Sequence, residues 1–128
     1  MAPVVEVRAT EIRLDRATGA LDVTFDDGTR FRLPAEYLRV ESPSAEVQGH
    51  GPGERKVIGG RRHVRVIGIE PVGNYAVRLT FDDLHDTGIF SWDYLHQLGQ
   101  EQATRWQAYL DALASRSLSR DPAIPRHY

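Results

Sequence analysis

Leu21-Asp22-Val23-Thr24-Phe25-Asp26-Asp27-Gly28-Thr29-Arg30-Phe31-Arg32-Leu33 alternates apolar and polar residues on both sides of an acidic turn that contains a glycine. A period of two marks half-buried strands, and Gly28 can take the positive φ that a tight turn demands. Upstream, Glu11-Ile12-Arg13-Leu14 alternates in the same way, separated from Leu21 by Asp15-Arg16-Ala17-Thr18-Gly19-Ala20. The three stretches predict an antiparallel meander, and Pro34-Ala35-Glu36-Tyr37-Leu38-Arg39 predicts a short helix opened by proline.

The second half repeats the plan. His63-Val64-Arg65-Val66-Ile67-Gly68-Ile69-Glu70 is a strand candidate, Pro71-Val72-Gly73-Asn74 a turn, and Tyr75-Ala76-Val77-Arg78-Leu79-Thr80-Phe81 a further alternating strand. Thr87-Gly88-Ile89-Phe90 returns, and Ser91 is placed to cap a following helix. Phe25-Asp26-Asp27-Gly28 leading to Tyr37-Leu38 thus matches Phe81-Asp82-Asp83-Leu84 leading to Tyr94-Leu95, with one extra residue in the second copy near His85. The insertion reads either as a plain bulge or as a device that re-aims a side chain. Tyr94, Leu95, Leu98, Trp106, Tyr109, Leu110 and Leu113 keep helical spacing, which predicts an amphipathic helix interrupted at Gly99. The expected fold is α+β: small antiparallel β meanders in two pseudo-repeated halves, packed with a C-terminal amphipathic helix. One domain is expected over residues 1–114, with 115–128 a flexible tail and 42–60 a long irregular loop.

Composition narrows the function. A chain of 128 residues with 41% hydrophobic and 27% charged residues fits one soluble core. No apolar run approaches the roughly 18 residues of a membrane span. No secretory signal is legible at Met1-Ala2-Pro3-Val4-Val5-Glu6, so a cytoplasmic location is expected and no membrane association. With no cysteine, disulfides and thiolate metal sites are excluded, and any metal must be held by His, Asp, Glu or backbone oxygen. The net charge of −2 argues against nucleic acid as a partner. Arg55, Lys56, Arg61, Arg62, His63 and Arg65 form a local basic cluster, read as a solvated loop and strand face or as an anion or partner site.

Nucleophile-elbow, phosphate-loop and dinucleotide-binding patterns are absent, and Pro52 deprives Gly49-His50-Gly51-Pro52-Gly53 of a donor that a phosphate loop would need. His50, His63, His85 and His96 are followed two residues on by Pro52, Arg65, Thr87 and Leu98, so the His-x-Asp/Glu pattern of a facial triad is missing. The chemistry left is a two-histidine site. His85 lies beside Asp82, Asp83 and Asp86, and His50 lies four residues after Glu46. If the long loop folds over the turn, His85, His50, Asp83 and Glu46 could meet around a metal ion.

Leu38-Arg39-x-x-Ser42-Pro43-Ser44-Ala45-Glu46-Val47-Gln48-Gly49-His50-Gly51, Ile69-Glu70-Pro71-Val72-Gly73-Asn74-Tyr75-Ala76 and Phe81-x-Asp83-x-His85-Asp86-Thr87-Gly88-Ile89-Phe90-Ser91-Trp92-Asp93-Tyr94-Leu95 together resemble the gamma-butyrobetaine hydroxylase-like N-terminal domain, over about residues 10–113. The resemblance implies a small domain that, ahead of an oxygenase, binds zinc through three cysteines and a histidine. Those positions correspond here to Ser42, Ser44, approximately Val47, and His85. It also implies an accessory role in metal or iron–sulfur handling, with an iron–sulfur carrier ATPase as a partner class. The expected function is therefore a non-catalytic accessory domain that binds iron or zinc, with no organic cofactor. The alternative is a metal-free protein-interaction module that uses the 42–60 loop and its basic neighbours. An enzyme would need a catalytic constellation that the sequence does not display.

Overall fold

In a computed structural model, residues 7–44, 47, 56–86 and 88–122 are described. Their elements run β1 Ala9–Leu14, β2 Leu21–Phe25, β3 Arg30–Leu33, α1 Ala35–Val40, β4 Val66–Val72, β5 Ala76–Phe81, β6 Ile89–Ser91, α2 Trp92–Gln100 and α3 Gln102–Ser115. Strands β1-β2-β3 form one antiparallel sheet and β4-β5-β6 another, each in chain order. The fold is α+β, with two meanders each followed by a helix.

The two halves agree at the level of hydrogen bonds. In the first turn Phe25 N donates to Thr29 O (2.9 Å) and Gly28 N to Phe25 O (3.0 Å); in the second Phe81 N donates to His85 O (2.9 Å) and Leu84 N to Phe81 O (3.0 Å). Gly28 has φ +87° and Leu84 φ +71°, so a leucine is held in the left-handed region where the first copy has glycine. An aspartate accepts from the backbone two residues on in both turns, Asp27 from Thr29 (2.9 Å) and Asp83 from His85 (3.2 Å). His85 therefore stands where the first half has Thr29, and the inserted residue falls after it.

Each helix locks onto the opposite half. Tyr37 of α1 donates its hydroxyl to Leu98 O near the end of α2 (2.7 Å), and Tyr94 of α2 donates to Glu41 O at the end of α1. Two residues beyond each tyrosine, Arg39 pairs with Asp83 in the second turn (2.8 Å) and His96 with Asp27 in the first (2.8 Å). Carbonyls at helix C-termini have no partner within the helix, and the reciprocal tyrosines fill two of them. Between the sheets and helices Phe25, Leu33, Leu38, Phe81, Phe90, Leu95 and Leu98 are buried in one core. Val40, Tyr109 and Leu113 form a smaller cluster that seats α3.

The structure shifts three local boundaries. Strand β4 begins later than expected and continues through Pro71, which is tolerated because β4 is an edge strand and the missing N–H interrupts no inner ladder. The C-terminal helical segment breaks at Glu101 (φ −102°, ψ 14°), and not at Gly99. Gly99 lies inside α2 because the Phe31 ring rests on it: a Cβ there would stand 2.2 Å from Phe31 Cγ. Beyond α3, Ser119 O accepts from Gly60 N (2.8 Å), Arg120 O accepts from Arg62 N (3.0 Å), and Arg120 grips buried Glu36 with two hydrogen bonds of 2.9 and 2.7 Å. The described part of the expected flexible tail thus carries these contacts.

Candidate functional site

The pseudo-repeat is broken at one place. Phe31 on Gly99 in one half corresponds to Gly88 on Ser42 in the other, with the large and small partners exchanged. A Cβ on Gly88 would stand 2.5 Å from Ser42 Oγ. Where the first half has an aromatic ring, the second has room for a polar cluster. Ser42 and His85 are both buried, at 0% and 5% exposure, and share a hydrogen bond of 2.9 Å between Oγ and Nε2. Ser42 Oγ also accepts from Ser44 N (3.3 Å). A serine beside a histidine is the arrangement of an activated nucleophile, but this hydroxyl lies beneath the surface. Asp83 meets the backbone N–H of His85, and the third-member role of orienting the ring does not fall to it.

Asp83 is committed to arginines. Arg39 Nε lies 2.8 Å from Asp83 Oδ2 and Arg61 Nε 2.7 Å from the same oxygen. The first contact is a hydrogen bond; the second is Coulombic, because the Arg61 N–H points off the line to the oxygen. Two guanidinium groups thus share one carboxylate, and Arg39 Nη1 is buried without a hydrogen-bond partner. Burial of the Asp83 carboxyl acts to raise its pKa, yet the hydrogen bonds from Arg39 and His85 N–H and the two positive charges outweigh it and set the pKa below 3.8. A carboxyl with a depressed folded pKa stabilises the fold above its unfolded pKa and loses that contribution as the pH falls through the folded value. The gap in urea midpoint between the natural protein and Asp83→Asn should therefore be full at about pH 6 and narrow on acidification to about pH 3. A gap that stays constant over this range would disprove the assignment.

Of the four residues expected to ligate a metal, the structure brings His85 and Asp83 side by side but turns Asp83 toward Arg39 and Arg61. His50 and Glu46 lie outside the described residues. Among the described residues, no group of three or more His, Asp or Glu is placed to hold a metal ion. The basic cluster is partly consumed: Arg61 pairs with Asp83, Arg62 with Asp121, and Arg65 donates to Arg16 O. Arg55 lies outside the described residues.

A second feature lies along α3. A groove of about 350 Å³ is walled by Arg105, Ala108, Tyr109 and Ala112 on α3 and by Arg116 at its C-cap, and closed by Val40, Glu41 and residues 56–58. Tyr109 ties the two walls, donating its hydroxyl to Ile58 O (2.6 Å). Burial, aided by the negative charge of Glu36, raises its pKa to about 12, so it remains a donor at neutral pH. Arg105 is held by Glu41 (3.0 Å) and Glu101 (3.3 Å), whereas Lys56 and Arg116 make no ion pair among the described residues. A larger depression of about 460 Å³ on the outer face of the first sheet is lined by Glu11, Arg13, Asp22, Arg30 and Arg32, of which all but Arg30 pair with one another or with Asp15. The α3 groove sets Lys56 and Arg116 beside the apolar residues Val40, Val57, Ile58, Ala108 and Ala112.

The chain matches the family model described as gamma-butyrobetaine hydroxylase-like, N-terminal, over residues 12–96. It belongs to that family. Among solved structures, a protein determined in solution by NMR is 43% identical with a TM-score of 0.79, over 94% of this chain and 95% of that one. A second solution structure is 41% identical with a TM-score of 0.80, over 100% and 99%. A crystal structure of a protein of unknown function from the DUF971 family of Acidithiobacillus ferrooxidans ATCC 23270 is 40% identical with a TM-score of 0.61, over 72% and 92%. No curated protein matches the chain.

At the positions where the resemblance implies cysteine ligands, Ser42, Ser44 and approximately Val47, this chain's residues do not fit a thiolate zinc site. Ser42 and Ser44 offer neutral hydroxyls, Ser42 already bonded to His85, and buried Val47 has no donor at all. No helix among the described residues is long and apolar enough to cross a membrane. The groove residues on α3 escaped the sequence reading because Tyr109 reads as core. The available signal was Ala108 and Ala112, one turn apart and flanked by Arg105 and Arg116 on the same face.

Proposed function

We propose that this domain is a non-catalytic docking module that seats a segment of a partner protein in the groove between α3 and residues 56–58. The observation that carries the reading is an apolar floor with two cations, Lys56 and Arg116, left without ion pairs among the described residues. At about 350 Å³ the groove is at the small end of ligand pockets, suited to one or two inserted side chains. The serine–histidine pair supports a structural role for the polar cluster, because both groups are buried and bonded to each other. The partner class implied by the resemblance, an iron–sulfur carrier ATPase, is the first to test.

The test places a photoreactive benzoylphenylalanine at Ala108 of the full chain and offers the carrier ATPase as partner. The expected result is a crosslink that is lost when Ala112→Trp fills the groove and kept when His85→Ala opens the polar cluster. A crosslink indifferent to Ala112→Trp, or abolished by His85→Ala alone, would overturn the reading.

A second reading has His85 with His50, Glu46 and Asp83 holding iron or zinc. It is favoured by the convergence of Ser42, Ser44 and His85, which stand at positions of cysteine and histidine ligands in the resemblance. The pairing of Asp83 with two arginines weighs against that residue as a ligand.

A further inference from the structure

Resting on the docking reading, we infer that the occupant of the α3 groove is an acidic peptide segment carrying one or two apolar anchor residues. The charge of the groove selects it. Arg105 is already neutralised by Glu41 and Glu101, so the positive charge left facing an occupant belongs to Lys56 and Arg116. The whole chain carries a net charge of −2, so this cationic rim is a local reversal of the global field. An acidic segment is drawn to this rim by Lys56 and Arg116. A basic segment meets the same two cations and is repelled by them.

The floor selects the anchors. Val57 and Ile58 are half-buried, and Ala108 and Ala112 present only methyl groups one helical turn apart. Such a wall leaves space for a branched side chain without displacing anything. Arg105 on α3 and Arg116 at its C-cap lie eleven residues apart, a reach of about 16 Å at 1.5 Å per residue, which suits a short segment of five or six extended residues. An anionic membrane surface shares the charge preference but requires protruding apolar groups, and this surface is concave.

The experiment follows backbone amide shifts of the full ¹⁵N-labelled chain during titration with a capped hexapeptide, Asp-Glu-Leu-Leu-Glu-Asp. Shifts confined to residues 56–58 and 108–116, weakened about ten-fold or more by Lys56→Glu with Arg116→Glu and by added salt, are expected. Equal binding in the groove by the counterpart with lysines in place of the acids would overturn the acidic class and leave the docking reading standing. Binding of none of the peptides at the groove would overturn both. Groove shifts produced by anionic phospholipid vesicles and not by peptide would replace the occupant with a membrane. Both charge variants lie at the surface, and unchanged shifts elsewhere report that the fold is intact.

Discussion

Asp83→Ala is expected to lower the unfolding free energy by about 3 kcal/mol, the low end of what breaking a buried ion pair costs. Two observations set the size. The Arg39 side chain is only 9% exposed and pairs with this carboxylate, and removal of Asp83 leaves Arg39 and Arg61 with no counter-charge among the described residues. The discount reflects partial solvent screening at Asp83 and Arg61, whose side chains are 21% and 32% exposed. The substitution also removes the acceptor for His85 N–H, so the turn that presents His85 loosens. Asp27 at the equivalent place in the first half pairs with a histidine and with Thr29, and Asp27→Ala should cost a fraction as much. Urea unfolding gives both values. Asp83→Ala with Arg39→Leu should recover part of the loss, because the orphaned charge goes with its partner. Equal effects at Asp27 and Asp83 would show that the arginine pair contributes nothing special.

The second large effect is expected at Gly99. Adding a methyl group at a position 2.2 Å from Phe31 Cγ forces the ring or the helix to move, and overpacking of this kind costs about 1–3 kcal/mol. Phe31 cannot swing away freely, since its ring meets Phe25 at 6.0 Å and His96 at 5.7 Å between centroids. Gly99→Val should therefore lower the thermal midpoint and disturb the His96–Asp27 contact as well. Phe31→Ala in the same chain relieves the clash, so the double variant should be more stable than the sum of the two losses predicts. Strict additivity would show that the helix shifts and the ring is not the obstacle.

These two sites also show what the sequence displayed and what it hid. The repeated strand-turn-strand-helix plan was legible because alternation and turn chemistry are local: Phe25-Asp26-Asp27-Gly28 and Phe81-Asp82-Asp83-Leu84 announce the same turn, and both turns form. The exchange of helices between halves was not legible. Tyr37 bonds to Leu98 and Arg39 to Asp83 across long stretches of chain, and nothing in a helix's own residues names the half it will join. Gly99 read as a helix break because glycine usually weakens a helix, whereas here tertiary contact with an aromatic ring decides the residue. Pro71 read as a turn, and it is edge-strand position that admits it. His85 was singled out as a metal-ligand candidate beside the insertion in the second turn. Its bond to Ser42 depends on Gly88 leaving space, a fact of packing that no spacing rule contains. The α3 groove likewise joins residues 56–58 to a helix some fifty positions later, with each side unremarkable alone.

The proposal stands on the cluster around His85 serving as a hydrogen-bonded strut that needs no metal, with the α3 groove as the proposed docking surface. Calorimetric titration of zinc and of iron(II) into untagged, chelator-treated full-length protein tests it most directly. The account predicts no saturable uptake and a thermal midpoint that neither metal shifts. Stoichiometric binding that His85→Ala abolishes, accompanied by a rise in midpoint, would contradict it and return the polar cluster to the centre of the function.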